Sequence, residues 1–258
     1  MSIVGAIIVP HPPLIIPTVG QGREQEVQTT IDAYWTAAKQ VAEWKPEVLI
    51  ITSPHQIMYA DYFHISPGHG ASGDMSAFGA LRTRLRAEYD EPLRDELIHR
   101  AEVAGLRAGT LGERSPALDH GTFVPLCFLQ EAGVNCPILR IGLSGFSPMD
   151  HYRLGQCTAQ AVDALGRRAA FVASGDLSHK LKDDGPYGYA PEGPVFDRRV
   201  TQAMSEGDFL RFLTMDPDLC ENGRTTGTFI GWLSRRNDRA GRRSLCIPPR
   251  PRPAPGLH

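Results

Sequence analysis

Apolar residues along this chain form short unbroken runs, and three of these runs are followed by a tight turn and a histidine. They are residues 7–11, 49–55 and 171–179, which end in His11, His55 and His179. Continuous apolar runs of about four to eight residues are typical of strands that are buried on both faces. Each histidine follows the carboxyl end of its predicted strand, which is the edge where open α/β sheets bind ligands. The pattern therefore predicts that the three histidines meet at one edge of a sheet.

Segments with a helical period separate these runs. From Glu24 to Trp44 apolar residues recur in steps of four and three, which predicts an amphipathic helix. Further helices are predicted over residues 91–104, 120–129, 149–165, 195–204 and 208–213, a further strand over 138–143, and exposed loops over 66–80 and 180–194. Alternating strands and helices predict an α/β domain over residues 1–221. We expect a three-layer sandwich with a mixed, largely parallel central sheet and helices on both faces.

The composition is that of an ordinary soluble domain. Hydrophobic residues make up 41% of the 258 residues and charged residues 22%. The apolar run of residues 3–9 is too short to span a bilayer, and its flanks lack the features of a signal peptide. Five cysteines without a C-x-x-C spacing predict free thiols in a reducing compartment. We therefore expect a cytoplasmic protein that does not engage a membrane.

Charge divides the chain near Glu221. Residues 221–258 contain eight arginines and two acidic residues, so they carry +6, while residues 1–220 carry −8. The acidic body argues against nucleic-acid binding by the main domain. The tail is rich in arginine and proline and has neither a helical nor a strand period, so we expect residues 222–258 to be disordered. A reading-frame shift in the source sequence or a natural basic tail that binds acidic partners would account for this change.

His11 and His55 are the strongest candidates for metal ligands. Both lie in rigid turns that contain proline, and a rigid frame suits a metal site. Either histidine alone could simply cap its strand, but two in matched turns favour a metal. A carboxylate would complete the two-histidine, one-carboxylate set of non-haem Fe(II) sites, and Glu221 is the candidate. The alternatives are Zn(II) or another divalent metal, and a surface role for Glu221.

Two further histidines have catalytic potential. His179 follows a glycine, Asp176 and two serines, which could orient its imidazole as a general base. The alternative is that these residues cap a helix that contains His179. His120 could donate a hydrogen bond to a bound anion or oxygen species, or it could be an ordinary residue in the first turn of a helix.

Four segments, in order along the chain, resemble the motif set of one known family. They are Val9-Pro10-His11-Pro12-Pro13, Ser53-Pro54-His55, Asp119-His120-Gly121-Thr122-Phe123-Val124-Pro125-Leu126 and Ser174-Gly175-Asp176-Leu177-Ser178-His179. The set is similar to that of the class III extradiol ring-cleavage dioxygenases, catalytic B subunit. Residues 59–68 and 109–114 most resemble the dioxygenase-like N-terminal domain of AmmeMemoRadiSam system protein A.

The resemblance implies an Fe(II) enzyme that uses O₂ to open a catechol-like ring beside its hydroxyls. It implies that His11 and His55 bind the metal, that His179 is the acid and base, and that His120 helps to hold substrate or oxygen. The implied partners are a small aromatic substrate and O₂. Assembly into a homo-oligomer stays an open possibility. Two other functions also stay open. One is a metal-binding protein of the AmmeMemoRadiSam type without this activity, and the other is a metal-dependent hydrolase.

Overall fold

A central parallel sheet organises the chain. The computed structural model describes residues 2–113 and 115–223 and the backbone of residues 244–246. The strands are β1 (Ile3–Val9), β2 (Val48–Ser53), β3 (Phe63–His64), β4 (Gly70–Met75), β5 (Ala80–Glu88), β6 (Ala108–Gly109), β7 (Ile138–Gly142), β8 (Ala169–Ser174) and β9 (Ser244–Cys246). The helices are α1 (Pro17–Gly20), α2 (Gln28–Glu43), α3 (Glu91–Val103), α4 (His120–Glu131), α5 (Pro148–Ala164), α6 (Glu192–Glu206) and α7 (Pro217–Gly223). Short 3-10 helices lie at Pro13–Ile15, Arg23–Val27, Ser76–Phe78 and Phe209–Thr214.

The main sheet has the order β7-β2-β8-β1-β9, and its strand pairings are parallel. An isolated antiparallel bridge joins Ile65 to Ile141 at the β7 edge. Strands β4 and β5 form a separate antiparallel ribbon, and β3 pairs with β6. The predicted α/β class with a largely parallel central sheet is therefore confirmed.

Apolar side chains cover both faces of this sheet. Alternate residues of β1, β2 and β8 pack against α2, α4 and the β4–β5 ribbon on one face. The intervening residues pack against α3 and α5 on the other face. Strands that are buried on both faces need continuous apolar runs, which explains the sequence pattern. None of the helices in the described part of the chain has the length and apolar character that crossing a membrane requires.

The segment from residue 66 to 80 was predicted as an exposed loop, and this prediction is wrong. Residues 70–75 form β4, which pairs with β5 through a short 3-10 turn. Glycine and serine have low strand propensity, which hid the strand. Gly70 is needed there, because a Cβ at this position would lie 2.5 Å from the Ala87 carbonyl oxygen. The missed signal was the alternation of apolar and polar residues along β5.

Helices α6 and α7 pack on each other around a third apolar cluster, beyond the main sheet. The predicted disordered tail, residues 222–258, lies almost entirely outside the described residues. Within it, residues 222 and 223 complete α7, and the backbone of residues 244–246 pairs with the outer side of β1. For the rest of that range, disorder stays a prediction.

Candidate metal centre

The carboxyl ends of β1, β8 and β2 lie side by side and carry the candidate site. Strand β8 pairs with β1 on one side and with β2 on the other. The backbone pairing of β1 and β8 continues past the strand end, because the Gly175 amide donates to the Val9 carbonyl at 3.0 Å. From α2, the buried Tyr34 hydroxyl donates to the Pro10 carbonyl at 3.0 Å. These two bonds fix the direction in which the chain leaves β1, immediately before His11.

His11 is oriented through both of its ring nitrogens. The residue is 1% exposed, and its Nδ1 lies 2.8 Å from Ser174 Oγ. Its backbone amide donates to Asp176 Oδ1 at 3.1 Å. Its Nε2 lies 2.9 Å from His55 Nε2 and 3.3 Å from Asp176 Oδ2. An imidazole with one nitrogen held by a neighbour and the other presented to a cluster is the arrangement of metal-binding histidines.

His55 and His120 face each other beside His11. Their ring centroids are 3.9 Å apart, and each ring lies edge-on to His11 with centroid distances of 4.8 and 5.4 Å. Ligand nitrogens from the three residues all lie within 4.8 Å of one another. His120 is half-buried and His55 keeps access to solvent. The cluster is therefore anchored in the protein at His11 and reachable from outside at His55.

Burial keeps these three imidazoles neutral near pH 7. It lowers the pKa of His11 to about 4, although the nearby Asp176 carboxylate opposes the shift. Partial burial of its ring also lowers the pKa of His55, against the opposing charge of Asp119. The pKa of His120 is lowered by burial and by the neighbouring His55. Neutral imidazole is the form that binds a metal, so the cluster has the right protonation state for a ligand set.

One largely buried carboxylate, that of Asp119, links the turns that carry His55 and His120. Its Oδ1 accepts hydrogen bonds from Ser53 Oγ at 2.5 Å and from the Thr122 amide at 3.0 Å. The same Ser53 oxygen accepts the His55 amide at 3.1 Å. The other carboxylate oxygen, Oδ2, accepts a hydrogen bond from Arg140 Nη2 at 2.8 Å. Burial raises the pKa of Asp119, but Arg140 and these hydrogen bonds outweigh it and keep the carboxylate ionised.

His179 joins the cluster through Asp176. Its Nε2 lies 3.4 Å from Asp176 Oδ2, the oxygen that also faces His11. The hydrogen bond with Asp176 raises the pKa of His179, while partial burial opposes the shift. Burial disfavours the charge on Asp176, yet its bonds with His179 and His11 hold its pKa below the ordinary value. A histidine oriented by a carboxylate beside a ligand cluster is suited to proton transfer.

Most of the chain matches a known protein family. A model described as "Catalytic LigB subunit of aromatic ring-opening dioxygenase" matches residues 5–234. The chain belongs to this family. Dioxygenases of the LigB family depend on a metal, and the cluster of His11, His55 and His120 is the candidate metal centre in this member.

This LigB family member is similar in sequence to the following three proteins. Protein CA_C1420 of Clostridium acetobutylicum is 31% identical in an alignment 243 residues long that covers 88% of this chain and 50% of that protein. The chain thus spans half the length of that relative. The 2-aminophenol 1,6-dioxygenase beta subunit of a Pseudomonas species is 26% identical over 85% of this chain and 80% of that subunit. The 3,4-dihydroxyphenylacetate 2,3-dioxygenase of Escherichia coli is 26% identical over 75% of this chain and 74% of that enzyme.

The structure brings four of the five predicted site residues of this LigB chain together. His11, His55 and His120 form the cluster, and His179 is connected to it through Asp176. Glu221 lies exposed on α7 and is not a member of the three-nitrogen cluster. The predicted helix start at His120 is confirmed, with Asp119 as its N-cap.

Two histidines outside the four motifs are buried in the structure. His64 is 0% exposed and its Nδ1 lies 3.1 Å from the Leu111 carbonyl oxygen. His151 is 7% exposed and bonds the Ser147 carbonyl at 2.9 Å. The apolar residues on both sides of His64 in the sequence could have indicated that this histidine is buried. Arg140 was also missed, because its contact with Asp119 depends on strand order, which the sequence does not reveal.

Proposed function

We propose that this chain is a metal-dependent dioxygenase that opens the ring of a small catecholic substrate beside its hydroxyls. The observation that carries the proposal is the convergence of three neutral imidazoles at the sheet edge, with the His179–Asp176 pair beside them. Membership of the LigB family supports it, as do two relatives whose names are those of ring-cleaving dioxygenases. The proposed compartment is the cytoplasm. Because one relative is named a beta subunit, assembly into an oligomer belongs to the proposal.

Fe(II) is the proposed metal, and His11 and His55 are its proposed protein ligands. The donor set fits such an ion. Metal–nitrogen bonds are about 2.1 Å long, so two adjacent ligands of a six-coordinate ion lie about 3 Å apart. The Nε2 atoms of His11 and His55 are 2.9 Å apart.

Glu221 is the proposed carboxylate ligand. It lies on α7, and Lys180 Nζ donates to the carbonyl of the adjacent Asn222 at 3.0 Å. This bond ties α7 to the loop that carries Asp176 and His179. His120, which faces His55, is proposed to hold substrate or oxygen rather than the metal.

The metal, when bound, would bring a substrate hydroxyl and O₂ together and polarise both. The proposed task of His179 is to take a proton from a substrate hydroxyl and to return one later. Asp176 orients the His179 ring and stabilises its protonated form. Burial of His11 excludes water from the inner side of the site, while the exposed His55 side leaves a path for the substrate.

Assignment to the AmmeMemoRadiSam branch of the family is a finer proposal. It rests on the resemblance of residues 59–68 and 109–114. A protein of that branch need not cleave rings, so an activity assay bears on this point as well.

The test is oxygen consumption by protein that is loaded with Fe(II) under anaerobic conditions. Catechol, 2-aminophenol and 3,4-dihydroxyphenylacetate form the substrate panel. We expect O₂ uptake with at least one of them, and a loss of about 10²–10⁴-fold in turnover for His179→Ala. His99→Ala, which changes an exposed histidine on α3, is the matched control and should keep the wild-type rate. Absence of uptake by fully loaded protein would remove the dioxygenase proposal and leave a hydrolase or a non-catalytic metal protein.

Metal analysis of the same preparations tests the ligands separately. His11→Ala and His55→Ala should each lose most of the bound iron, and Glu221→Gln should lose more iron than its control. Glu102→Gln, at an exposed glutamate of α3, is that control. If the His11 and His55 variants retain as much iron as wild type, these ligand assignments are wrong.

A further inference from the structure

Two exposed aromatic side chains contact His120 and His179, the two histidines of the site that are not proposed as metal ligands. Phe78, in the turn of the β4–β5 ribbon, is 39% exposed, and its ring lies edge-on to His120 at a centroid distance of 5.3 Å. Tyr187, in the loop between β8 and α6, is 56% exposed and stacks on His179 at 5.2 Å with an interplanar angle of 28°. The two rings therefore come from segments far apart in the chain and contact different functional side chains.

The two rings are connected through the site by a series of contacts between side chains. Neighbouring contacts lead from Phe78 through His120, His55, His11, Asp176 and His179 to Tyr187. Each step is a ring contact of 3.9 to 5.3 Å or a polar contact of 2.9 to 3.4 Å. A molecule that reaches the proposed metal ligands and His179 therefore binds in a region where His120 and His179 each contact one of these rings.

Exposed rings at such a place have a chemical use. Small-molecule sites are lined mainly by apolar and aromatic side chains, with few polar groups that fix orientation. Aromatic rings attract other rings through stacked and edge-to-face contacts, and they gain by removing apolar surface from water. The histidines and Asp176 supply the polar groups, while Phe78 and Tyr187 supply apolar walls that a planar ring can cover.

We infer that Phe78 and Tyr187 form two walls of the substrate pocket and select planar aromatic ligands over non-aromatic ones. This inference rests on the proposed function, because it takes the histidine cluster as the place where the ligand binds. It adds two residues that the sequence motifs do not contain. Both rings act on the affinity for the substrate, and neither takes part in proton transfer.

The test compares the binding of two probes to protein loaded with Fe(II) in the absence of O₂. One probe is 4-nitrocatechol, whose absorbance reports binding, and the other is acetohydroxamic acid, a non-aromatic metal ligand. Phe78→Leu and Tyr187→Leu remove a ring but keep an apolar side chain. We expect each to weaken 4-nitrocatechol binding about two- to tenfold, as loss of one aromatic contact predicts. Iron content and the Kd for acetohydroxamic acid should stay at the wild-type values.

Two control variants isolate the aromatic contact. Tyr187→Phe keeps the ring and should bind 4-nitrocatechol as wild type does. Tyr189, in the same loop, is 50% exposed. Tyr189→Leu removes this ring and should also leave the Kd for 4-nitrocatechol unchanged.

The outcomes separate this inference from the function on which it rests. Wild-type Kd values for 4-nitrocatechol in both leucine variants would overturn the inference alone. Equal weakening of both probes would also overturn it, because the substitutions would then act on the metal site in general. If wild-type protein carries iron but binds no 4-nitrocatechol, the proposed function fails and the inference fails with it.

Discussion

The largely buried ion pair between Arg140 and Asp119 supports two of the histidine-bearing turns. Arg140 on β7 is 3% exposed and donates to Asp119, whose carboxylate also accepts hydrogen bonds from Ser53 Oγ and from the Thr122 amide of α4. Removal of one partner from such a pair leaves the other charge buried without compensation. The free energy of unfolding and the geometry of the site therefore depend on the same contact.

We expect Arg140→Met to lower the free energy of unfolding by about 3–5 kcal/mol, measured by urea denaturation. Arg23→Met is the matched control. Arg23 and Glu26 are 73% and 64% exposed, and surface pairs of this kind contribute about 0–1 kcal/mol. Equal effects in the two variants would show that Asp119 does not need its buried partner.

The buried His151 predicts a dependence of stability on pH. Its Nδ1 donates to the Ser147 carbonyl at 2.9 Å, and its Nε2 accepts the Ser144 amide at 3.4 Å, so both nitrogens are used by the neutral ring. Burial lowers the pKa of His151 below its ordinary value of 6.5. Below pH 6.5 the unfolded chain therefore binds more protons than the folded chain. The contribution of the neutral ring to stability is therefore complete above pH 6.5 and is lost as the pH falls below it.

His151→Gln removes this titration. We expect its free energy of unfolding to fall less steeply than that of wild type between about pH 6.5 and pH 5, by up to about 1.4 kcal/mol per pH unit. Denaturation curves at several pH values measure the slope. His99→Gln, at an exposed histidine, should keep the wild-type slope, and a wild-type slope in His151→Gln would contradict the prediction.

At this scale the sequence indicated the candidate site residues and one residue that orients them, Asp176, but it did not indicate Arg140. His11 and His55 stood out because each follows an apolar run in a proline-containing turn. The contact of Arg140 with Asp119 depends on the neighbouring positions of β7 and β2 and on the loop that precedes α4. No local sequence pattern encodes this contact, so the sequence alone does not indicate the role of Arg140.

At the scale of elements, the start of α4 is where helix propensity and packing disagree. Gly121 lies in the first turn of this helix, where alanine would ordinarily stabilise it by roughly 0.5–1 kcal/mol. A Cβ at this position would collide with Ser53 Oγ and would lie 3.2 Å from His55 Cδ2. Packing therefore requires glycine here, although propensity does not.

We expect Gly121→Ala to lower metal affinity about 10–100-fold, as displacement of groups that support ligands commonly does. Titration with Fe(II) under anaerobic conditions measures the affinity, and far-UV circular dichroism checks that helix content is retained. An unchanged affinity with intact helices would show that the turn of His55 can shift without affecting the ligands.

Helices α2 to α6 and strands β1, β2, β7 and β8 were predicted, because amphipathic periods and continuous apolar runs are local signals, whereas β9 falls in the predicted disordered tail. Helix α3 was predicted over residues 91–104 and lies at Glu91–Val103. The β4–β5 ribbon was missed because glycine and serine dominate its first strand. Gly70 permits a close approach of the two backbones, which is a tertiary requirement rather than a local one.

At the scale of the whole molecule, strand order creates the site. Strand β8 lies between β1 and β2, although β1 and β2 are consecutive long strands in the sequence. This order places Ser174 and Asp176 between the two proposed ligand turns. The sequence predicted a common edge for the histidines, but the strand that separates them follows from long-range packing of α2, α4 and α5 on the sheet.

The central claim is that the chain inserts oxygen from O₂ into an aromatic ring at this site. The most direct test is mass spectrometry of the product formed by Fe(II)-loaded protein from a catechol of the panel under isotopically labelled O₂. Our account predicts a ring-opened product that carries both labelled oxygen atoms, and its loss in His179→Ala. A product that carries oxygen from water alone, or an unchanged catechol, would contradict it.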